Sequence, residues 1–204
     1  DLSDTFEQNI SYDFSGSNLR DSFNIEGPLL DTTKFADQFP NADFAFELYE
    51  TNSILFFKRC KDTLFILGEK KNVPFGATSY RVEYDQPVVF LTFPLKFKKN
   101  IGDTLLGTVY SGDSTYRRKG SIQTKILTEG NLATPIKNYQ NILRANIQLN
   151  YTDTFISSSG DRGTVTADVN HNRFYSSGDT AFIAAINGGK INTIISGFAG
   201  IRTL

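Results

Sequence analysis

Several residue types are scarce in this chain of 204 residues: methionine and tryptophan are absent, and cysteine and histidine occur once each. One cysteine cannot form an intramolecular disulfide, and one histidine cannot build a zinc site from several histidines. The chain has no apolar run long enough to span a bilayer. Its 21 basic and 22 acidic side chains leave no basic excess for nucleic acid. These absences argue against a disulfide scaffold, a transmembrane segment and a nucleic-acid partner.

Aromatic residues are plentiful, and they follow strand-like patterns. The chain contains 18 Phe and 9 Tyr, residue types that favour strands. Polar and apolar residues alternate in ILRANIQLNY (142–151), whereas PVVFLTF (87–93) is apolar on both faces. We therefore predict an all-β, mainly antiparallel fold, either a β-sandwich or two abutting sheets. The chain is predicted to form a single domain, 1–204, with a possible subdivision near 85–100.

One short helix is predicted near 32–39, within the segment DTTKFADQFP. Asp31 or Thr32 can cap its first turn, and Pro40 ends it. Phe35 and Phe39 are four residues apart, so they share one face of that helix.

A long scaffold strand is predicted from Tyr139 to Tyr151. Its apolar face is expected on the core and comprises Leu143, Ala145, Ile147, Leu149 and Tyr151. Its polar face is expected in water and comprises Arg144, Asn146, Gln148 and Asn150. The next segment, 157–180, is rich in Ser, Gly, Asn and Asp, so we predict a surface loop that faces a partner.

Two stretches, 87–113 and 120–155, carry short signatures of strands and turns. The signature residues are Phe93 to Leu95, Gly102 to Thr104, Thr134, Pro135, Tyr139, Asn141 to Arg144, and Tyr151 to Phe155. In these residues the chain resembles a loosely defined family of secreted all-β proteins from Bacteroidota, with the signatures LxFPLxYGDTF and TPxGTYxNVLRVKxxxxYTDTF. YDFSGSNL (12–19) and FADQFPNADFAF (35–46) resemble two further stretches of that family.

The resemblance implies an exported protein, located at the cell surface, in the extracellular space or in the periplasm. Many members of the family are cargo of type IX secretion, and none of the shared signatures is catalytic. The start at Asp1 is typical of a mature chain after signal-peptide removal, and a trimmed chain would look the same.

Eight aspartates are followed directly by Ser or Thr, about three times the number expected from the composition. Five of these pairs resemble the O-glycosylation signature of Bacteroidota, in which Asp-Ser or Asp-Thr precedes an apolar residue or Thr. The acceptors would be Thr32, Thr63, Thr104, Ser114 and Thr180. The alternative is a turn closed by Asp, after which the hydroxyl residue starts a strand.

The segment DVNHNRFYSSGD (168–179) has oxygen-bearing side chains at the spacing of a calcium loop. Asp168, Asn170, Asn172 and Asp179 take loop positions 1, 3, 5 and 12. Arg173 stands where such a loop needs glycine, so a turn rich in Asn and Asp is the alternative. Calcium is the only cofactor that the sequence indicates. His171, in the same segment, is predicted to be a surface turn residue.

No pattern in the sequence predicts a catalytic group. Cys60 ends the apolar run SILFFKRC, where a buried, unreactive thiol is expected. Glu47 and Glu83 are an example of two carboxylates that could flank a glycosidic bond, although no spacing rule selects them. Basic clusters such as those at 58–61 and 96–99 are expected on the polar faces of edge strands.

Two functions remain open at this point. The first is a non-catalytic exported module at the bacterial cell envelope, which binds a protein or a glycan or forms part of an extracellular or outer-membrane assembly. The second is a polysaccharide-active enzyme that uses paired carboxylates.

Overall fold

A computed structural model of the chain describes residues 5–13, 15, 36–48, 53–71, 79–134, 137–156, 162–176 and 182–195. For residues 36, 46–48, 155, 156, 162 and 182–195 the description covers the backbone alone. Ten strands account for most of these residues: β1 (Glu7–Asp13), β2 (Phe44–Leu48), β3 (Ser53–Cys60), β4 (Thr63–Lys71), β5 (Tyr80–Thr92), β6 (Asn100–Ser111), β7 (Ser114–Ala133), β8 (Asn138–Ile156), β9 (Arg162–Ser176) and β10 (Phe182–Ile195).

Strands β2 to β10 form one sheet, in which each strand pairs antiparallel with the next strand along the chain. The exception is β1, which pairs parallel with residues 128–133 of β7. Because β6 pairs with β7 only between Ser114 and Lys125, β1 occupies the edge of β7 that β6 leaves open. The prediction of an all-β, mainly antiparallel fold is confirmed.

The sheet curls until strands that are distant in the sheet order meet. The guanidinium carbon of Arg173 in β9 lies 5.4 Å from the ring centre of Phe90 in β5, although three strands stand between them. The pairings of β4 with β5 and of β7 with β8 each contain register irregularities. Bulges and strand twist bend a sheet in this way. One curled sheet thus takes the place of the two sheets that the apolar runs led us to expect.

The main core lies on the inner face of the curl and takes residues from every strand between β3 and β9. It comprises Leu55, Phe57, Leu64, Ile66, Val88, Phe90, Leu91, Leu95, Leu105, Ile122, Ile126, Leu143, Ala145, Ile147 and Tyr175. Phe57 and Phe90 meet edge to face, with ring centres 5.3 Å apart. Full burial of a large apolar side chain stabilises the fold by roughly 1.5–3 kcal/mol, so this cluster is the main source of stability.

Helix is limited to one turn in the described part of the chain. Of the helix predicted near 32–39, Ala36–Gln38 forms a single 3-10 turn, and residues 32–35 lie outside the described residues. Phe39 follows that turn and stacks on Phe56 with ring centres 4.0 Å apart. No helix in the described ranges has the length and apolar character needed to cross a membrane.

The segment 157–180 contains a strand where we predicted a surface loop. β9 pairs with β8 on one side and with β10 on the other, so it is an inner strand of the sheet. The segment has few apolar residues. In β9, however, polar residues occupy every second position from Thr164 to Asn172, and each pairs with a polar residue of β8. Residues 157–161 and 177–181 lie outside the described residues.

Candidate functional site

The sheet face opposite the main core carries polar side chains in register on β7, β8 and β9. Four rows cross these strands: Lys119–Thr152–Thr166, Ser121–Asn150–Asp168, Gln123–Gln148–Asn170 and Lys125–Asn146–Asn172. Alternate residues of a strand share a face, so the twelve side chains form one surface, which we term the outer polar face. Strands spaced by about 4.8 Å, with a two-residue repeat of about 6.7 Å, set these groups on a regular grid.

One end of the outer polar face is buried. The Nδ2 atom of Asn146 donates to Oδ1 of Asn170 at 2.7 Å and to Oδ1 of Asn172 at 3.3 Å. Arg144, the next outward residue of β8, donates from Nη1 to the same oxygen of Asn172 at 3.1 Å. Arg144 and Asn146 are each only 1% exposed, so the expectation that they lie in water is wrong. The side-chain amides of Asn170 and Asn172 on β9 accept hydrogen bonds from these two residues, which lowers the free-energy cost of burying them.

The other end of the outer polar face opens into a groove with a volume of about 340 Å³. Its sides are formed by Lys119, Asn150, Thr152, Thr166 and Asp168. The intervening row, Gly120–Tyr151–Ala167, supplies the floor, because its side-chain positions face the core. The groove therefore offers an ammonium group, a carboxylate, an amide and two hydroxyls within one concave surface.

Gly120 shapes the floor of this groove. A Cβ atom at this position would meet the carbonyl oxygen of Asn150 and the Cα atom of Tyr151, the latter at 2.7 Å. β7 and β8 thus approach each other here more closely than a residue with a side chain would permit.

A buried ion cluster lies beneath the groove, on the inner side of the sheet. Arg118 is fully buried, and its Nε and Nη2 donate to the two oxygens of Asp153 at 2.7 and 2.8 Å. Its Nη1 donates to Oε1 of Glu69 at 2.6 Å. The guanidinium also stacks on the ring of Tyr151, 3.6 Å from the ring centre. Since Tyr151 contributes to the groove floor, the cluster supports the groove from below.

Burial governs the ionisation of this cluster. It raises the pKa of Tyr151 to about 12, and it raises those of Tyr80 and Tyr84 as well. Burial works against the charge of Arg118, but Glu69 and Asp153 outweigh it and hold the pKa of the guanidinium well above its usual value. The tyrosines are therefore neutral hydrogen-bonding groups around a permanent cation.

The residues predicted to bind calcium do not form the first half of a loop. Asp168, Asn170 and Asn172 lie in β9 and belong to the outer polar face, while Asp179 lies outside the described residues. Among the described residues, no group of three or more His, Cys, Asp or Glu side chains is placed to hold a metal ion. His171 is a buried inner-face residue of β9, 7% exposed, and not a surface turn residue.

Three of the five predicted glycosylation acceptors lie in the described part of the chain. Thr63 and Ser114 are the first residues of β4 and β7, each preceded by a turn that contains the aspartate. Thr104 is exposed within β6. Thr32 and Thr180 lie outside the described residues.

The remaining candidates are dispersed. Cys60 is exposed, because the apolar part of β3 ends at Phe57 and Cys60 borders the turn to β4; the expectation of a buried thiol is wrong. Glu47 and Glu83 stand on β2 and β5, three strand spacings apart, on the order of 14 Å. The carboxylates of a glycosidase are about 5–9.5 Å apart.

Comparison with known proteins provides no match from which a function could be transferred to this chain. No protein-family model, no curated protein and no solved structure matches this chain.

Sequence reasoning did not predict that Lys119, Asn150, Thr152 and Thr166 line one groove. The available signal was the alternation of polar residues in TVTADVNHNR (164–173), which has the period of a strand. The rows themselves depend on strand pairing, which a single strand does not encode.

Proposed function

We propose that this chain is a non-catalytic, exported module of the bacterial cell envelope that binds a glycan at the outer polar face. The observation that carries the proposal is the groove, where side chains of three adjacent strands combine donors and acceptors of hydrogen bonds. A sugar presents hydroxyls that donate and accept, so it matches a mixed lining of amide, hydroxyl and charged groups.

The charges of the groove favour a glycan over other ligands. Lys119 and Asp168 are both exposed and offset each other, whereas a nucleic acid would need a surplus of cations. The groove sides carry no large apolar side chain, so they offer no anchor of the kind that fixes peptides in grooves. Export to the envelope is inferred from the signatures shared with secreted Bacteroidota proteins.

The arrangement of carboxylates favours binding over hydrolysis. The groove is lined by one carboxylate, that of Asp168. Glu69 and Asp153, which share Arg118 as a partner, are both bound to it beneath the groove floor. Glycoside hydrolysis needs two carboxyl groups on either side of one bond.

A glycan array followed by titration calorimetry tests the proposal. The variant Asn150→Ala/Asp168→Ala removes an amide and a carboxylate from exposed positions, and we expect affinity for a glycan hit to fall at least about tenfold. The control Thr104→Ala/Gln86→Ala removes exposed polar groups outside the groove and should bind like the parent.

Two results would contradict the glycan proposal. One is undiminished affinity in the groove variant. The other is an array without hits, combined with capture of a specific protein from the native envelope fraction. Export is tested separately by fractionating native cells with an antibody, where recovery in the cytoplasmic fraction would refute it.

A further inference from the structure

Two segments that are separate in sequence bring cations together at one end of the sheet. Arg59 lies at the end of β3 and Lys61 in the turn that follows it, and the segment between β5 and β6 carries Lys96, Lys98 and Lys99. The segments are in direct contact, because the Phe93 amide donates to the Asp62 carbonyl at 2.6 Å. The Arg59 guanidinium also lies 5.9 Å from the ring centre of Phe93. We term these five cations the basic tip.

The basic tip concentrates positive charge on a chain whose net charge is −1. Arg59, Lys61, Lys96 and Lys98 are exposed. Lys99 is held close to them: its Nζ donates to the carbonyls of Thr92 at 2.9 Å and Pro94 at 3.2 Å. The carboxylates nearby in the described part of the chain are fewer: Glu7, Asp43 and Asp62. Asp43 is engaged with the amide of Arg59 at 2.6 Å, and Glu7 with the hydroxyl of Thr5 at 2.6 Å.

Exposed phenylalanine accompanies this charge. Phe6 is 46% exposed, one of two large apolar side chains that are exposed in the described ranges. Its ring meets Phe97 edge to face at 6.2 Å, and the Lys98 ammonium lies 5.4 Å from the centre of the Phe97 ring. Lysines around an exposed phenylalanine that rests on a partly buried one are typical of surfaces that bind at a membrane interface.

We propose that the basic tip, with Phe6 and Phe97, docks the protein onto the headgroup layer of an anionic phospholipid bilayer. The lysines pair with lipid phosphates, and Phe6 enters the boundary between headgroups and acyl chains. A soluble polyanion would engage the cations but leave Phe6 in water. The rings of Phe6 and Phe97 meet edge to face, at 82°, so they form a wedge and not a platform for stacked bases.

This docking is independent of glycan binding. The tip contacts β7 at Ile126, whose amide and carbonyl bond to Lys99 and Lys98. The groove lies at Gly120, about 20 Å away along the same strand. A protein held by its tip thus keeps its groove accessible.

Vesicle sedimentation tests the proposal. The parent protein should sediment with vesicles of equal parts phosphatidylcholine and phosphatidylglycerol, not with phosphatidylcholine alone, and added salt should weaken this binding. Neutralising three cations in Lys61→Gln/Lys96→Gln/Lys98→Gln should lower the partition coefficient about a hundredfold. The control Lys71→Gln/Arg117→Gln/Lys137→Gln removes the same charge elsewhere and should bind like the parent.

A second variant separates lipid from a soluble polyanion. Phe6→Ser should weaken binding to the mixed vesicles several-fold while leaving any binding of polyphosphate unchanged, and its exposed position keeps folding intact. The proposal is overturned if the parent does not bind mixed vesicles at low salt, or if the tip and control variants bind equally. Binding of polyphosphate without binding of vesicles also overturns it and assigns the tip to a soluble polyanion.

Discussion

Single polar residues support the curled sheet at particular points. β5 and β6 cease to pair after Tyr84 and Gly107, and Oδ2 of Asp103 then accepts the Val89 amide at 2.7 Å. Asn141 takes a φ of 54°, a conformation that asparagine tolerates better than most residues. Asp153 anchors Arg118. All three lie in the short strand-and-turn signatures within 93–104 and 134–155, so these signatures have structural roles here.

Replacing Asp153 with asparagine should destabilise the protein strongly. The change leaves a buried guanidinium with Glu69 as its remaining carboxylate, and loss of one partner from a buried pair costs about 3–5 kcal/mol. Urea denaturation measures the change. The matched control is Asp85→Asn, which breaks an exposed pair with Arg117 and should leave the denaturation midpoint unchanged. Equal effects of the two variants would show that the buried cluster has no special role.

The buried tyrosines predict loss of stability at alkaline pH. Burial raises the pKa of Tyr80, Tyr84 and Tyr151, that of Tyr151 to about 12, so the folded state favours the neutral phenol. Their contribution is complete below the unfolded value of about 10 and is lost as pH rises through the raised values. Each tyrosine contributes a slope of up to about 1.4 kcal/mol per pH unit.

Denaturation between about pH 8 and pH 12 measures this slope. Tyr84→Phe removes one titrating group and should make the decline shallower. If all nine tyrosines ionise near pH 10 in the folded protein, as followed by phenolate absorbance, the prediction fails.

Among the elements, β8 and β9 show what sequence patterns can and cannot predict. The core positions Leu143, Ala145 and Ile147 followed from alternation, because one apolar face needs only its own period to be recognised. The burial of Arg144 did not follow, because a polar face is wet or dry according to what covers it and what partners it. β9 was missed for the same reason: its Asn170 and Asn172 side chains accept hydrogen bonds from β8.

The close approach of β7 and β8 makes Gly120 sensitive to substitution. Gly120→Ala places a methyl group against the backbone of Asn150 and Tyr151, which cannot move without disturbing the sheet. We expect a loss of about 1–3 kcal/mol in urea denaturation, in the range of overpacked sites. Gly102→Ala is the control, since its new Cβ would lie 3.7 Å from the Ile122 carbonyl oxygen, an ordinary contact. A silent Gly120→Ala would mean that the strands separate more easily than their packing indicates.

At the scale of the whole molecule, the continuous core predicts a single cooperative unfolding transition. Residues before 85 and after 100 share the main cluster, with Phe57 and Ile147 as examples. Tyrosine fluorescence and far-UV circular dichroism should therefore give coincident urea curves. Two separated transitions would instead support the subdivision near 85–100. The variant Leu143→Ala should lower the common midpoint, by about 2–5 kcal/mol, without separating the curves.

The strand order has a consequence for how the molecule is built. From β2 to β10 the order in the sheet is the order in the chain, so a chain delivered from its N-terminal end can add each strand to the one before it. Such local hairpin steps need little loop closure. β1 is different, because its partner residues in β7 follow more than a hundred residues later. β1 is thus the first described strand in the chain but cannot pair until β7 is present. Its docking on β7 is therefore a late step of assembly.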